Sequence, residues 1–340
     1  MDTFLKNLPK IELHAHLNGS LNTQSIKELG LQLYGENSEE FLKLCEKFTE
    51  FNNTDLDYCF QKFAFMHELT ATKKGLKLAC EMVIRDFALD NVIYLELRTT
   101  PKVNEQMTRR QYIQLIIEAI QECSVKYNIM VKLLLSIDRA QTVQSAEEIV
   151  LLAQQFKELH PDIVKGVDLS GNPNKGKFND FIPVLNKAKH SKLNLALHCA
   201  EVSNPLEIQE MLDFGFERCG HGTFLSPQQL EQCLKRHITI ECCLTSNVKC
   251  GTVSSYDSHH FRHIFHNNIK AVLCTDDSGV FDTSLTQEFK LACKYYELNS
   301  DDIKILTLNA IEACFANSQE KTVLRQHVEK YFKETNENLK

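Results

Sequence analysis

The chain lacks the features that mark membrane proteins and flexibly tethered domains. Its 340 residues include only 12 glycines and 7 prolines, so long flexible linkers are not expected. No apolar run approaches the roughly 18 residues that a membrane-spanning helix needs, and the first six residues do not resemble a signal peptide. We therefore expect a globular protein that does not enter a membrane.

An excess of positive charge and a paired-cysteine pattern are also missing. The chain has 45 acidic residues against 38 Lys and Arg, which gives a net charge of −7. That balance argues against a binder of nucleic-acid polymers or phospholipid surfaces, which needs a basic surface. The 13 cysteines form no CxxC motif, so neither a zinc ribbon nor a thioredoxin-type site is indicated. Buried thiols in a reducing compartment are the simplest interpretation, and we expect a cytoplasmic protein.

What the sequence does contain is a regular alternation of short apolar runs with helical patterns. In residues 109–126, for example, Tyr112, Ile116 and Ile120 recur at helical spacing. Eight apolar runs separated by helices predict a parallel sheet, and eight strands close a TIM (β/α)8 barrel. A doubly wound open sheet is the competing fold. The predicted strands cover residues 10–16, 92–99, 130–138, 164–169, 193–198, 219–222, 238–242 and 271–275.

Two helical regions exceed a minimal barrel. A helical insert occupies about residues 20–90, after the first strand, and further C-terminal helices occupy about residues 284–338. Length alone would allow two domains. Because no linker divides the chain, we expect a single metal-dependent barrel domain over residues 1–340. Helices are predicted at residues 22–35, 38–51, 56–69 and 74–89 in the insert, and at 285–298, 301–316 and 319–337 in the C-terminal extension.

Unusual polar residues follow four of the predicted strands. In a barrel the carboxyl ends of all strands face one mouth, where active sites lie. Imidazole and carboxylate ligands together suit Zn²⁺, and an open position leaves room for water. Each fragment alone has an ordinary explanation, such as a helix cap for Asp277, but together they predict a metal site. They are His14 and His16, His198 and Glu201, His221, and Asp276 and Asp277, after strands one, five, six and eight. The expected ligands are His14, His16, His198 and Asp276.

These residues stand in motifs that resemble the adenosine deaminase family of zinc barrel hydrolases. The motifs run in family order from near residue 8 to near residue 280 and so span most of the chain. The zinc cytidine-deaminase class is excluded because its HxE and PCxxC motifs are missing. Dinuclear relatives with a bridging Lys are disfavoured, since Lys165 lies at the start of strand four. The motifs are LPKIELHAHLNGS at 8–20, DLSG at 168–171, HCAE at 198–201, GHG at 220–222 and TDD at 275–277.

The resemblance implies hydrolytic deamination at purine C6, with one Zn²⁺ per subunit that activates a water molecule. Glu201 would protonate ring N1, and His221 would act as a base or as an electrostatic partner of the attacking water. Asp277 would contact the N7 side, and the Gly171 amide would contact N3. Loss of the exocyclic amine then leaves a 6-oxopurine.

One departure from the family pattern concerns the substrate. Adenosine deaminases resemble HxHLDG, with the Asp facing the ribose 5′-hydroxyl, whereas this chain has Asn18 at that position. An Asp would repel a 5′-phosphate, while a neutral Asn can donate a hydrogen bond to it. Near-isosteric drift is the alternative. The turn at residues 99–102 offers two hydroxyls and the Lys102 cation to a phosphate, although an exposed loop lysine would look the same.

Together with FMHEL at residues 65–69, these features resemble the family branch that hydrolyses N(6)-methyl-AMP and related N(6)-substituted purine nucleotides to IMP and an alkylamine. Lys102 stands where that branch often has Arg, which keeps the charge but loses bidentate geometry. Adenosine deamination and a non-enzymatic nucleotide-binding barrel are the alternatives. For His67, the alternative is a helix residue whose hydrogen bonds are satisfied within the insert. His259, His260 and His263 are interpreted as surface or local structural residues. We expect a monomer whose partner is a small purine nucleotide. The expected contacts are His16, Asn18, His67, Thr99, Thr100, Pro101, Lys102, Asp138, Gly171 and Asp277.

Overall fold

The computed structural model describes residues 1–50, 63 and 65–338, in which eight parallel strands form one sheet in chain order. The last strand returns to the first through a bridge between Ala15 and Asp276. There the Asp276 amide donates to the His14 carbonyl at 2.8 Å. The sheet therefore closes into the predicted TIM barrel, and the open doubly wound sheet is excluded. The strands are β1 Lys10–His16, β2 Val92–Thr99, β3 Met130–Asp138, β4 Val164–Ser170, β5 Asn194–Cys199, β6 Arg218–His221, β7 Thr239–Cys242 and β8 Ala271–Leu273.

The strands are buried on both faces, because helices cover the outside of the barrel and side chains fill its interior. This explains why they read as near-continuous apolar runs. The first three strands match their predicted bounds. The last strand ends earlier than predicted, at Leu273, because residues beyond it turn away from the ladder and Asp276 adopts a φ of 62°.

Helices alternate with the strands around the barrel. The sequence pattern did not indicate the first, seventh, ninth, tenth and eleventh of them. Three of these five are only six residues long, and the seventh contains Pro183. The helices are α1 Asp2–Asn7, α2 Thr23–Tyr34, α3 Glu39–Glu50, α4 Lys73–Leu89, α5 Arg109–Tyr127, α6 Val143–Leu159, α7 Phe178–His190, α8 Pro205–Phe214, α9 Pro227–Lys235, α10 Leu244–Lys249, α11 Phe261–His266, α12 Leu285–Tyr296, α13 Ser300–Ala313 and α14 Ser318–Asn338.

The predicted insert and extension are both present as helices. In the insert, α2 is joined to α4 by a hydrogen bond from Asn22 to Asp86 at 2.7 Å and by an ion pair between Arg85 and Glu28 at 2.8 Å. The predicted helix at 56–69 lies mostly outside the described residues, of which 65–69 are helical. Among the helices that the structure describes, none is both long and apolar enough to cross a membrane.

Candidate metal centre and active site

Three histidines from two strands meet inside the carboxyl end of the barrel. His14 and His16 lie two residues apart on β1, so their side chains share a face, and His198 reaches them from β5. The three Nε2 atoms lie 3.2 Å from one another in every pair. The Asp276 Oδ1 atom lies 3.4 Å from the Nε2 atoms of His14 and of His16. The structure thus brings together the four side chains that the sequence predicts as ligands.

Carboxylates that contact Nδ1 of His14 and of His198 determine which nitrogen of each ring carries a lone pair. His14 Nδ1 donates to Glu241 at 2.8 Å, and His198 Nδ1 donates to Asp168 at 2.9 Å. A ring whose Nδ1 hydrogen is bound in this way presents a lone pair at Nε2, as metal-binding histidines do. The second oxygen of Asp276 accepts a hydrogen bond from Ser246 at 2.7 Å.

The electrostatics of this cavity favour a positive charge. Lone pairs on three Nε2 atoms at 3.2 Å repel one another unless a cation lies between them. Burial and the Arg98 charge lower the pKa of His14, yet its bonds to Asp276 and Glu241 raise it to about 9, so a proton on its Nε2 supplies this positive charge wherever a metal ion does not. Burial lowers the pKa of His16 to about 3, so its ring is neutral. Nitrogen and carboxylate donors in this arrangement fit a divalent metal ion.

A layer of buried charge lies beneath the histidines, and the sequence reasoning missed it. Arg98 from β2 lies 2.5 Å from Glu241 and 3.6 Å from Asp168. Arg218 from β6 lies 2.6 Å from the other Glu241 oxygen and also pairs with Glu96. Burial would raise the pKa of Glu241, but the two guanidinium groups hold it well below its usual range. Charged residues in the middle of apolar strands were the available signal.

The candidate acid and base lie beside this centre. Glu201 follows β5 and is half-buried, and its Oε1 atom lies 3.8 Å from Nε2 of His221. His221 ends β6 and lies within 4.8 Å of the donor atoms of His14, His198 and Asp276. Ala200, His221 and Asp276 have positive φ angles of 57°, 66° and 62°. Non-glycine residues in this region store backbone strain, which concentrates at functional sites.

Asp277 is buried, and its Oδ1 atom has no hydrogen-bond partner among the residues that the structure describes. Gly19 packs against it so tightly that a Cβ atom on Gly19 would lie 1.6 Å from that oxygen. Burial and the neighbouring Asp276 raise the pKa of Asp277 well above its usual range. A neutral Asp277 can donate a hydrogen bond to a ligand.

A second polar cluster lies where the insert meets β2 and is called the Asn18–His67–Lys102 cluster. Lys102 Nζ donates to His67 Nδ1 at 2.6 Å, and Asn18 Nδ2 lies 3.2 Å from the same ring nitrogen. Asn18 also donates to Thr70 at 2.7 Å. Burial lowers the pKa of Lys102 to about 8, against the opposing charge of Asp138. Thr70 is a contact that the sequence reasoning missed.

Other predicted contacts occupy different surroundings. The Thr99 hydroxyl is buried against the Tyr112 hydroxyl on α5 at 2.6 Å, so it does not join the Asn18–His67–Lys102 cluster. The reason is strand alternation, which turns Arg98 inward and Thr99 towards the helices. Pro101 is buried, and its carbonyl accepts from Arg109 at 3.3 Å, while Thr100 is half-buried.

Asp138 and Gly171 lie next to each other at the ends of β3 and β4. Asp138 Oδ1 accepts a hydrogen bond from the Ala140 amide at 2.9 Å. Gly171 has a φ of 90°, and a Cβ atom on it would lie 2.3 Å from that oxygen. Only glycine can therefore bring its backbone this close to Asp138.

Comparison with known proteins identifies the family of this chain. The family model described as adenosine deaminase matches residues 9–331. An adenosine deaminase-like protein of Drosophila melanogaster is 53% identical over 97% of this chain and 98% of its own length. An N6-mAMP deaminase of Arabidopsis thaliana is 38% identical over 95% of this chain and 96% of its own length. The crystal structure of Arabidopsis ADAL complexed with IMP has a TM-score of 0.88 at 39% identity, and covers 98% of this chain and 99% of that one. The chain belongs to the adenosine deaminase family, whose members are hydrolytic deaminases that act on C–N bonds.

Proposed function

We propose that this deaminase is a zinc enzyme that converts N(6)-methyl-AMP and related N(6)-substituted purine nucleoside monophosphates to IMP and an alkylamine. The observation that carries the proposal is the Asn18–His67–Lys102 cluster, which begins two residues after His16 of the candidate metal centre. Relatives named N6-mAMP deaminase and a neighbour complexed with IMP support the same substrate class.

The charge state of the Asn18–His67–Lys102 cluster favours a phosphate over a hydroxyl. Lys102 is half-buried, and its pKa of about 8 shows that the charge of Asp138 does not offset the cost of burying this cation. A phosphate monoester carries close to two negative charges near neutral pH, and it would supply the missing counter-charge. Asn18 has one amide hydrogen besides the one it donates to Thr70, and it adds no negative charge, whereas an Asp at this position would repel the phosphate.

The proposed chemistry uses the side chains around the metal centre. His14, His16, His198 and Asp276 would hold Zn²⁺, which when bound lowers the pKa of a water molecule in the open position. Glu201 would take a proton of the attacking water and deliver it to purine N1, so that C6 becomes electrophilic. Neutral Asp277 would donate to N7, and the Gly171 amide would contact N3. The water oxygen bonds to C6, and its remaining proton passes through the Glu201 carboxylate to N6. The C6–N6 bond then breaks, which leaves the 6-oxo group and the neutral amine.

A comparison of three substrates tests the proposed function. On zinc-loaded protein, kcat/KM is expected to be about 10- to 100-fold higher for N(6)-methyl-AMP than for adenosine, because hydrogen bonds to a charged phosphate contribute about 1.5–3 kcal/mol. AMP is the third substrate, and it separates the effect of the phosphate from that of the N(6) substituent. A large preference for adenosine would overturn the nucleotide assignment in favour of plain adenosine deamination.

The Asn18→Asp variant serves as the internal control for that comparison. Its new carboxylate is expected to lower kcat/KM for the nucleotide by about 10-fold or more through charge repulsion, while the rate on adenosine stays within a few-fold. If the kinetic constants for both substrates are unchanged, Asn18 does not face the phosphate.

The pH dependence of nucleotide turnover should report the charge of Lys102. Burial lowers the pKa of this amine to about 8, so the free enzyme loses the cation above that pH. The phosphate itself becomes a dianion above about pH 6. We expect kcat/KM for N(6)-methyl-AMP to be highest between these values and to fall above pH 8, as the profile of kcat/KM follows groups of the free enzyme.

Lys102→Arg provides the matched control, because a guanidinium keeps its charge across this range. The fall above pH 8 should disappear in this variant, and adenosine should not show it in the wild type. An identical alkaline limb for adenosine and for the nucleotide would place its origin in another group.

A further inference from the structure

His221 differs from the neighbouring histidines in the group that contacts its outer ring nitrogen. His14 and His198 each contact a carboxylate there, but His221 Nδ1 lies 3.3 Å from the side-chain amide nitrogen of Asn247. Asn247 lies on α10 and is only 2% exposed. The orientation of this amide therefore decides which nitrogen of His221 carries the proton.

The contact between the Asn247 side-chain oxygen and His259 determines the orientation of the Asn247 amide. The backbone N–H of Phe261 donates to His259 Nδ1 at 3.0 Å. A backbone N–H can only donate, so Nδ1 of His259 carries a lone pair. Burial holds the pKa of His259 well below its usual range, and the neutral ring has its one proton on Nε2. That Nε2 lies 3.1 Å from Asn247 Oδ1 and donates to it.

The direction of each bond in this chain follows from the one before it. Since the amide oxygen of Asn247 accepts from His259, its NH₂ group faces His221 and donates to Nδ1. A neutral His221 then carries its proton on Nε2, the atom that faces Glu201 at 3.8 Å. A proton on Nδ1 would place two N–H groups against each other.

The segment before α11, which carries His259, also holds the backbone of His221 through His260. His260 stacks on His259 with 4.1 Å between ring centroids, and its Nε2 donates to the His221 carbonyl at 2.8 Å. The His221 φ of 66° and a 3.0 Å hydrogen bond from the Gly222 amide to the Gly220 carbonyl define a tight three-residue turn. Ring and backbone are therefore positioned together. Of the two roles expected for His259 and His260, the structure supports a local structural one, because His259 binds Asn247 and His260 binds the His221 carbonyl.

We infer that Phe261, His259 and Asn247 form a directed hydrogen-bond chain that keeps His221 in its Nε2–H tautomer, so that His221 donates into the active site and does not act as the general base. Its role as an active-site group rests on the proposed function. Asn247 and His259 are positioning residues in this scheme. They act through His221 and do not touch the substrate.

With its proton held on Nε2, His221 is excluded as an acceptor of the water proton, which leaves only the path through Glu201. A ring with hydrogen on Nε2 and an amide donor on Nδ1 has no site that can accept a proton from the attacking water. The proton therefore passes to the Glu201 carboxylate and from there to purine N1, while the water oxygen forms its bond to C6. His221 keeps its own proton and donates a hydrogen bond to that oxygen as negative charge develops on it.

The experiment measures the tautomer directly. Zinc-loaded protein carrying ¹⁵N-labelled histidine is examined by ¹H–¹⁵N correlation NMR without substrate, and the His221 signals are assigned from their loss in His221→Gln. The wild type is expected to show the proton on Nε2. In Asn247→Asp the carboxylate accepts from both rings, so the proton of His221 should move to Nδ1. We expect kcat to fall by about 10²- to 10³-fold with KM within a few-fold, which is less than the roughly 10⁴-fold loss of a serine protease whose catalytic histidine is the proton acceptor and has the wrong tautomer.

A second variant covers the case in which Asn247→Asp does not fold. His259→Ala removes the donor that orients the Asn247 amide, and it should produce a mixture of both His221 tautomers with a smaller loss of kcat. Zinc content and melting temperature are measured for each variant. A wild-type proton on Nδ1, or an Nε2–H signal that persists in both variants, would overturn the inference. Failure of the proposed function is a separate result, namely an Nε2–H tautomer in a protein that deaminates no purine nucleotide.

Discussion

Glu201→Gln is expected to lower kcat for N(6)-methyl-AMP by about 10³-fold. The glutamine keeps the size of the side chain but can neither take a proton from water nor deliver one to N1. Its effect on folding should be small, since the Glu201 side chain is 27% exposed and its one described ion pair is the 3.8 Å contact with His221. KM should therefore stay within a few-fold, and the zinc content should be unchanged.

The matched control for this variant is Glu210→Gln, the same chemical change on the exposed surface of α8. Single-turnover rates, zinc content and melting temperature are measured for both variants and for the wild type. A Glu201→Gln enzyme with wild-type turnover would show that another group transfers the proton. A wild type that binds no metal and turns over no faster than this variant would count against catalysis as a whole.

Glu241→Gln is expected to have the largest effect on both metal binding and folding. Glu241 is fully buried and contacts His14, Arg98 and Arg218 together. Loss of a carboxylate that orients a metal-binding histidine typically weakens metal affinity by about 10- to 100-fold. Two buried guanidinium groups also lose their shared counter-charge, which costs about 3–5 kcal/mol. Chelator competition for zinc and denaturant unfolding of the metal-free protein measure the two losses.

Glu288→Gln is the matched control, because Glu288 is equally buried but contacts no arginine or histidine in the described structure. It accepts hydrogen bonds from the Thr245 amide at 3.1 Å and the Thr283 hydroxyl at 2.6 Å. Burial raises the pKa of Glu288, so a neutral glutamine resembles its favoured form. Zinc affinity in this variant should remain near that of the wild type. Equal losses of zinc affinity in the two variants would point to a general packing defect.

Much of the architecture was determined by the sequence alone. Alternating apolar runs and helical patterns are local signals, and eight of them predict the barrel that the structure forms. His14 and His16 share a face because strand periodicity is two, whatever surrounds the strand. Asp276 could be placed at the same mouth as His198 because parallel strands of one barrel end on the same side. The position of Asn18 after HAHL likewise needed no tertiary information.

The tertiary structure alone decided which polar groups pair inside the barrel. Glu241 meets His14 across 227 residues of chain, and no local pattern encodes that contact. The Thr99 hydroxyl contacts Tyr112 and not Lys102. The sequence could not show this, because the inner and outer faces of the barrel are defined only once it has folded. The hydrogen-bond chain from Phe261 through His259 and Asn247 to His221 also depends on three-dimensional contacts. In this chain, the donor of each hydrogen bond is fixed by the hydrogen bond before it. Sequence periodicity places side chains on a face, but only packing determines which atoms meet there.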